Sequence, residues 1–526
     1  MPGTVTRRFR VHNAEQFHEA FSETASTKMY LYIARVSSWP DDANPPTPTD
    51  SIQQTEYDNW KKMLAAKKVQ SSDVTFAVPR YNWATGKVYR EYDTTSTTLF
   101  DTPAGSNTFY VVSSAFNVYK CLFNNKGAAS TVEPTGTSTS TLQTADGYKW
   151  KFMYNINAGD ALKFLTDNFA PIKTLAADDG SAQFDVQSAA ANGAIDVIDV
   201  RAGGSLYMTN SGTLAAVADG DTMTLAAGAN TSDNIYNGSA LYLASGTGAG
   251  QVREIVDYNG STKVVQLKSV FSVVPNTSTT YQIGPLVTIT GDGTGATAFA
   301  NVATASSNAV NQITMISTGT NYSEATVAIT ANSSHGSGAT AVAYVSPPGG
   351  HGSDPVGEFA AHNVILNVQL SGTEGGTFPT TNDFRTVGLL RDPQVANGSV
   401  ATGTRYDQTT RLTVASVSGS AAYTLDETIR GNTSGAVGKF VKFANTNAAN
   451  TAGVVHITDS ISNGSFSGSE TVKGLTSGIT ATLSSITLPK TSGLVPFTGD
   501  HIYVENRAPI SRASDQIEDI KLVVKF

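Results

Sequence analysis

The chain closes on an alternation. Ile520, Leu522, Val524 and Phe526 fall on one face and Lys521, Val523 and Lys525 on the other, the period-two pattern of a half-buried β-strand. A terminal Phe in such a strand needs a partner segment to bury it, because unpaired termini fray. Upstream, residues 502–504 read as a short strand, Glu505-Asn506-Arg507 as a polar knot and Pro509 as its stop. Near the other end the pattern is helical. Asn13 is a suitable N-cap with Gln16 at capping-box spacing, Phe17, Ala20 and Phe21 form one face, and Ser26-Thr27 ends the run. Residues 29–36 read as a strand. A second helix is expected from Asp50 or Ser51, with Trp60, Met63 and Leu64 on its buried face and Lys61, Lys62, Lys67 and Lys68 solvated. The three prolines of residues 44–48 require an extended loop. Residues 109–123 and 148–156 read as aromatic strands.

Beyond about Thr174 the composition shifts to Ala, Gly, Ser, Thr and Val, and all the tryptophans (Trp39, Trp60, Trp83, Trp150) lie before that point. Two repeats follow. Gly293-Thr-Gly-Ala-Thr-Ala298 recurs 43 residues later as Gly336-Ser-Gly-Ala-Thr-Ala341, and Glu427-Thr-Ile-Arg-Gly-Asn-Thr-Ser-Gly435 recurs 43 residues later as Glu470-Thr-Val-Lys-Gly-Leu-Thr-Ser-Gly478. The two types differ and each has only two copies, too few for a solenoid; duplicated hairpins inside small sandwiches are expected. Asn259-Gly260, between residues 251–258 and 261–267, predicts a type I′ hairpin, and Asn463-Gly464 is a similar signal. The expected fold is mainly β: a β-sandwich-type body with a few short helices and inserted small all-β modules. Its expected divisions are 1–187 (N-terminal part of an aromatic-rich body), 188–285 (inserted β module), 286–399 (central β region and returning body), 400–488 (second inserted module with the duplicated hairpin) and 489–526 (C-terminal strands completing the body).

Only 15% of residues are charged, against about 25% in average domains, so Ser, Thr, Asn and Gly cover the surfaces. A net charge of −8 provides no basic footprint for nucleic acid or for an anionic membrane. The single cysteine, Cys121, allows no intrachain disulfide, as expected of a chain folding in a reducing compartment. The N-terminus has no apolar core of a secretory signal, and no stretch of about 18 apolar residues predicts a membrane helix.

Candidate chemistry is sparse. His335, His351 and His362 lack the tight spacing of zinc ligands, and a Gly-rich connecting loop accounts for them better. Asp219-Gly220-Asp221 and Asp292-Gly293 lack the further carboxylates of a calcium loop. The Gly-rich runs at 246–250 and 291–297 lack the Lys-Ser/Thr of a phosphate loop, and no Gly-x-Ser-x-Gly elbow occurs. Cys121 reads as a packing residue. No enzyme activity, metal or cofactor is expected. Arg, Trp and Tyr are favoured interface anchors, so Trp39, Arg80, Trp83, Glu505, Asn506 and Arg507 are interface candidates; Trp83 and Trp150 also read as core residues of the body, and Arg80 and Arg507 equally as internal ion-pair partners.

An ordered set of segments carries a resemblance: Ser38-Trp39-Pro40, Pro48-Thr49-Asp50-Ser51, Trp60 with Met63, Pro79-Arg80 with Trp83, Tyr119-Lys120-Cys121-Leu122, Asp146-Gly147-Tyr148-Lys149-Trp150, Asp383-Phe384-Arg385, residues 388–393 (GLLRDP), and the closing runs IYVENRAPI and DQIEDIKLVVKF. Together they span residues 1 to about 175, about 355 to 395 and about 490 to 526. In this the chain resembles the baseplate wedge subunits of T-even-type contractile phages, the gene product eight family. The resemblance implies a structural virion protein, assembled in the host cytoplasm, that forms a homodimer and docks onto other wedge proteins during baseplate assembly and its rearrangement on infection. It does not cover the two inserted modules. The alternative reading is a receptor- or carbohydrate-binding tail adhesin, although those modules show neither fibre repeats nor aromatic sugar platforms.

Overall fold

The computed structural model describes residues 3–23, 27–100, 108–332, 334–460 and 465–526. Ser26 and the Asn463-Gly464 turn signal lie outside them. The chain forms two compact units, one of Met1–Ala77, Leu162–Leu165 and Ala361–Phe526, the other of Val78–Ala161 and Thr166–Ala360. The fold is mainly β with a few short helices and several small β modules.

The first unit is built on two facing sheets. Strands run in the order Arg405–Asp407, Met63–Lys68, Met29–Ala34, Phe384–Arg391 and Asp500–Ile510 in one. In the other, Asn363–Ser371 pairs along its whole length with Ile517–Lys525 and, on its other side, with residues 74–77. Leu31, Ile33, Leu64, Val387 and Leu389 meet Val364, Leu366, Val368, Ile520 and Leu522 in one core. Tyr30, Tyr32, Met63 and Leu390 point the other way, into a second cluster with Trp60. Covering on both faces explains why Met29–Ala34 is buried at every position. The closing alternation behaves as expected: Ile520 and Leu522 are buried, and the Phe526 ring lies 5.2 Å from that of Phe17.

Several local expectations need correction. The first helix starts six residues earlier than Asn13, running Arg7–Glu19 with Thr6 as N-cap, so Asn13 is interior. Ser51 does cap the next segment, a π-turn helix over Ile52–Asp58 that continues as Asn59–Lys62. Met63 and Leu64 belong to a strand rather than to that helix and bury on opposite faces. The four lysines are half-buried, and Lys67 bonds Glu374 at 2.5 Å. Pro509 does not itself end the strand: Asp500–Ile510 runs one residue beyond it, but pairing with Phe384–Arg391 is broken across residues 507–509, and at a bulge on an edge strand the missing N–H is tolerated.

The repeats are whole three-stranded units, not hairpins in sandwiches. Thr410–Ala415, Thr428–Gly431 and Val437–Asn445 are followed by Ala452–Thr458, Thr471–Gly474 and Thr480–Thr487 in a closed barrel. Each unit's third strand pairs with the first strand of the other unit. The repeated Glu carries the lock. Glu470 accepts from the N–H groups of Thr433, Ser434 and Ser467 and from Ser434 Oγ; Glu427 accepts from Thr424, Thr476 and Ser477 N–H and from Ser477 Oγ. Each repeat therefore satisfies the other's turn. A Cβ on Gly431 or Gly474 would stand 2.6 Å from the opposing carboxylate, which is why the motif ends its short strand on Gly.

In the second unit, the sheet ordered Tyr110–Val112, Asn117–Phe123, Lys149–Asn155 and Leu142–Gln143 packs Tyr119, Cys121, Tyr148, Trp150 and Phe152 into an aromatic core. Six further strands repeat the barrel's plan. Ile195–Ser205 pairs with Ser337–Val345, Thr280–Gly291 with Ala325–Thr330, and Thr294–Ala303 with Ala309–Thr320; the ladders lie side by side in the same cyclic order. The two repeat types, distinct by sequence, thus open the same strand. Thr294-Gly295, Ser337-Gly338, Ser434-Gly435 and Ser477-Gly478 all place the Gly at φ between 70° and 84°, a left-handed conformation that favours Gly. Here Tyr rings replace Glu: Tyr322 Oη accepts from Ala296 N and Tyr207 Oη from Ala339 N. Residues 210–283 build their own apolar cluster around Leu241, Ile255, Tyr258 and Tyr281. Their hairpin forms, but not with a two-residue turn. Asn259 pairs with Val264, leaving a four-residue loop held by Asn259 Oδ1, which accepts from the N–H groups of Ser261 and Thr262.

Candidate interface

Four of the candidates meet in the first unit. The Asp500–Ile510 strand pairs antiparallel with Phe384–Arg391, with its register broken between Phe384 and Thr386. Alternation along this edge strand sets the side-chain directions of Glu505, Asn506 and Arg507. Arg507 Nε bonds Glu505 Oε1 at 2.7 Å, so these two form an internal ion pair. Trp39 Nε1 donates to Arg507 O at 2.9 Å, and Asn506 Nδ2 donates to Pro46 O at 2.8 Å, which pins the proline-rich loop to the strand. All four side chains are half-buried. Behind them Asp42 accepts from Trp39 N and takes both Arg385 Nε and Nη2 at 2.9 Å; the Arg385 guanidinium holds the Asp42 carboxyl down at about 2.

Arg35 completes this patch, and sequence reading passed over it. Its guanidinium lies 3.7 Å from the centre of the Trp39 ring, a cation–π stack. A cavity of about 240 Å³ opens between Arg35, Trp39, Pro46, Pro48, Lys62 and Asn506. The available signal was an Arg four residues before a Trp at the end of a strand, where strand geometry gives way to a turn.

Arg80 and Trp83 lie in the second unit and bond to groups within it. Arg80 Nε donates to Asn82 Oδ1 and Nη1 to Thr166 O; Trp83 Nε1 donates to Ser130 Oγ, and its ring packs on the aromatic core. Trp83 thus combines the core and half-exposed readings, whereas Trp150 is fully buried. Cys121 is also fully buried, and burial pushes its thiol well up.

A polar centre invisible to sequence reading sits in the same unit. Lys120 is completely buried on the face of its strand opposite Cys121; its Nζ reaches Glu358 Oε2 at 2.8 Å, His351 Nδ1 at 2.9 Å and the Tyr92 ring at 3.8 Å. Burial pushes the Lys120 ammonium down while Glu358 opposes the shift. Burial and the flanking Lys120 and Lys151 hold His351 well below its ordinary range, so its neutral Nδ1 accepts. His351 lies in the Gly-rich connecting loop, as expected, and is at the same time a buried partner of Lys120. A cavity of about 450 Å³ nearby is lined by Lys149, Lys151, Asp196 and His351, where burial raises the Asp196 carboxyl.

His501, on the edge strand of the first unit, gives a pH prediction. Its Nδ1 lies 3.1 Å from Tyr32 Oη and its ring stacks edge-on to Trp60. Burial depresses its pKa to about 4. A His whose folded pKa is below its unfolded value stabilises above about pH 6.5 and loses that contribution as pH falls through the window from about 6.5 to 4. Thermal unfolding midpoints measured across that window should fall more steeply for the native chain than for His501→Gln; parallel curves would remove His501 from the account.

Among the described residues no group of three or more His, Cys, Asp or Glu could hold a metal ion, and no helix is long and apolar enough to cross a membrane. Residues 3–128 match the family Phage-Gp8 (Bacteriophage T4, Gp8). No curated protein matches the chain. A solved chain from the virion of native gene transfer agent (GTA) particle is similar at 11% identity over 51% of this chain and 83% of that chain, with a TM-score of 0.15. The stretch matched to Gp8 contains Arg35, Trp39, the proline loop, Arg80, Trp83 and Lys120. With this match, the chain is a virion-associated structural protein of a phage tail, related through residues 3–128 to the Gp8 baseplate-wedge family.

Proposed function

We propose that the chain is a wedge subunit that forms a homodimer and docks onto other wedge proteins during baseplate assembly, exchanging contacts when the baseplate rearranges on infection. The patch around Trp39 and Arg507 carries this reading. It presents a Trp, an Arg–Trp stack and a strand edge, all half-buried and tied by internal hydrogen bonds. Preorganised anchors of this kind lose little entropy on binding. Obligate interfaces bury roughly 2,000–5,000 Å², and much of their gross apolar gain is offset by ordering costs, so a rearranging assembly can trade one contact set for another. Residues 188–285 and 400–488 are read as insertions that project from the body, because their Ser/Thr-rich faces suit solvent or lateral neighbours.

Light scattering on the purified full chain tests the dimer. The expected mass is twice the 55.1 kDa of one chain. A monomer at micromolar concentration would remove the dimer, and a trimer would favour the adhesin reading.

A further inference from the structure

The strand that closes the first unit has an open edge. Ile517–Lys525 is the outermost strand of its sheet and pairs only with Asn363–Ser371. At the two ends of that ladder Phe526 N–H donates to His362 O, and Gly372 N–H donates to Gln516 O. Even-numbered residues therefore exchange bonds with the neighbouring strand, while Ile517, Asp519, Lys521, Val523 and Lys525 turn their N–H and C=O groups outward. Among the described residues none of these five N–H groups meets an acceptor. Of their carbonyls only Lys521 O meets a donor, Arg507 Nη2 at 3.3 Å. Edges of this kind are normally shortened, bulged, interrupted by Pro or guarded by Lys. This one runs nine residues without Pro, and its ladder keeps one register throughout. Its lysines do not guard it. Lys521 Nζ is drawn away to Leu162 O and Leu165 O, at 3.4 and 3.3 Å. Lys525 is exposed and makes no ion pair among the described residues. Asp519 is exposed too, with only a 3.5 Å bond from Gln369 Nε2.

We infer that this edge pairs antiparallel with the same edge of a second copy, across a two-fold axis at Leu522, so that the two sheets become one. This rests on the homodimer proposed above and names the surface that makes it. Charge selects the register, because like charges directly opposite one another repel and unlike ones attract. An axis at Lys521 sets that lysine against itself, one at Val523 sets Lys521 against the partner's Lys525, and one at Asp519 opposes the two carboxylates. An axis at Ile520 offers Asp519 only the partner's Lys521, whose ammonium already serves Leu162 and Leu165. With the axis at Leu522, Asp519 of each copy stands opposite Lys525 of the other. Asp519, Lys521, Val523 and Lys525 then each exchange both backbone bonds across the axis. On the other face of the sheet Ile520 meets the partner's Val524, and Leu522 meets its own copy, so the core-facing apolar row continues from one subunit to the next. The bond from Arg507 to Lys521 O joins this edge to the Trp39 patch.

Light scattering over a dilution series and oxidative cross-linking, both on the full chain, test this. Asp519→Lys turns both symmetry-related pairs repulsive and should weaken the dimer at least about tenfold. Combining it with Lys525→Asp restores unlike pairs and should bring the dimer back. Both positions are exposed, so the fold should survive, and thermal unfolding midpoints verify that it does. Cross-linking reads the register. In a chain carrying Asp519→Cys and Lys525→Cys together, cysteines of opposite copies face each other with Cα atoms about 5.5 Å apart, within reach of a disulfide. Mild oxidation followed by alkylation should give a covalent dimer on a gel run without reductant. Either single variant holds its two cysteines about 20 Å apart across the axis and should run as a monomer; the native Cys121 is buried. A native dimer that is unaffected by Asp519→Lys, is not restored by the charge swap, or cross-links no better with both cysteines than with one would overturn this inference and leave the homodimer standing on another face. A native chain that is monomeric would overturn the homodimer, and this inference with it.

Discussion

Replacing Glu470 with alanine is expected to open the Thr410–Thr487 barrel while the sandwich beneath it stays folded. The residue is 5% exposed, and its carboxylate accepts three backbone N–H bonds and one hydroxyl bond from the facing repeat and its own turn. A buried donor left unpaired costs about 1–3 kcal/mol, more when the lost acceptor was charged, so about 3 kcal/mol or more is expected. Glu427→Ala should act alike, because its bonds mirror those of Glu470 position for position. The double substitution should cost less than the sum of the two, since both carboxylates close the same pairing of Thr428–Gly431 with Thr471–Gly474 and neighbours of this kind are not additive. Hydrogen exchange resolved by strand gives the readout. Protection should fall in the six barrel strands and persist in Met29–Ala34 and Phe384–Arg391. A loss below about 1 kcal/mol, or a uniform loss throughout the chain, would refute the lock.

The second large effect is expected at Lys120 and Glu358. The side chains are 0% and 3% exposed and their charged atoms 2.8 Å apart. Breaking a buried pair by removing one partner strands the other charge, at about 3–5 kcal/mol. Glu358→Gln and Lys120→Met should each reach that range in urea unfolding of the second unit. Glu358 also accepts Gly352 N at 2.7 Å, so its loss should be the greater. Lys120→Met combined with Glu358→Leu should recover part of the stability, because replacing both charges by packed apolar groups removes the desolvation cost. If the double variant were as unstable as the sum of the singles, the coupling between the two side chains would be nil and the stranded charge would not be the cause of the single losses.

Arg35 and the Arg80–Trp83 segment show how far local reading reaches. Trp39, Glu505, Asn506 and Arg507 stood out by residue type, and they do meet; nothing in their spacing showed that 468 residues of chain separate the Trp39 indole from the carbonyl it bonds. Arg35 carries the stack yet looked ordinary, because its importance lies in a backbone angle set by Lys62 and Arg385. Lys120 was hidden for a related reason. A lysine in an aromatic strand is legible as an oddity, but its partner Glu358 is 238 residues away.

Period-two alternation, the proline loop and the Ser51 cap are written in consecutive residues, because side-chain direction in a strand and hydrogen bonding at a cap depend on near neighbours. The same holds for the mainly-β character and for the low charge that leaves hydroxyls on the surface. Partner choice is not local. Closure of the 43-residue repeats into a barrel, the exchange of Glu427 and Glu470 between its halves, and the shared plan of two repeat families with different sequences follow only when distant strands find each other. Hydrogen-bond satisfaction and burial are properties of the whole fold, and they decided these features.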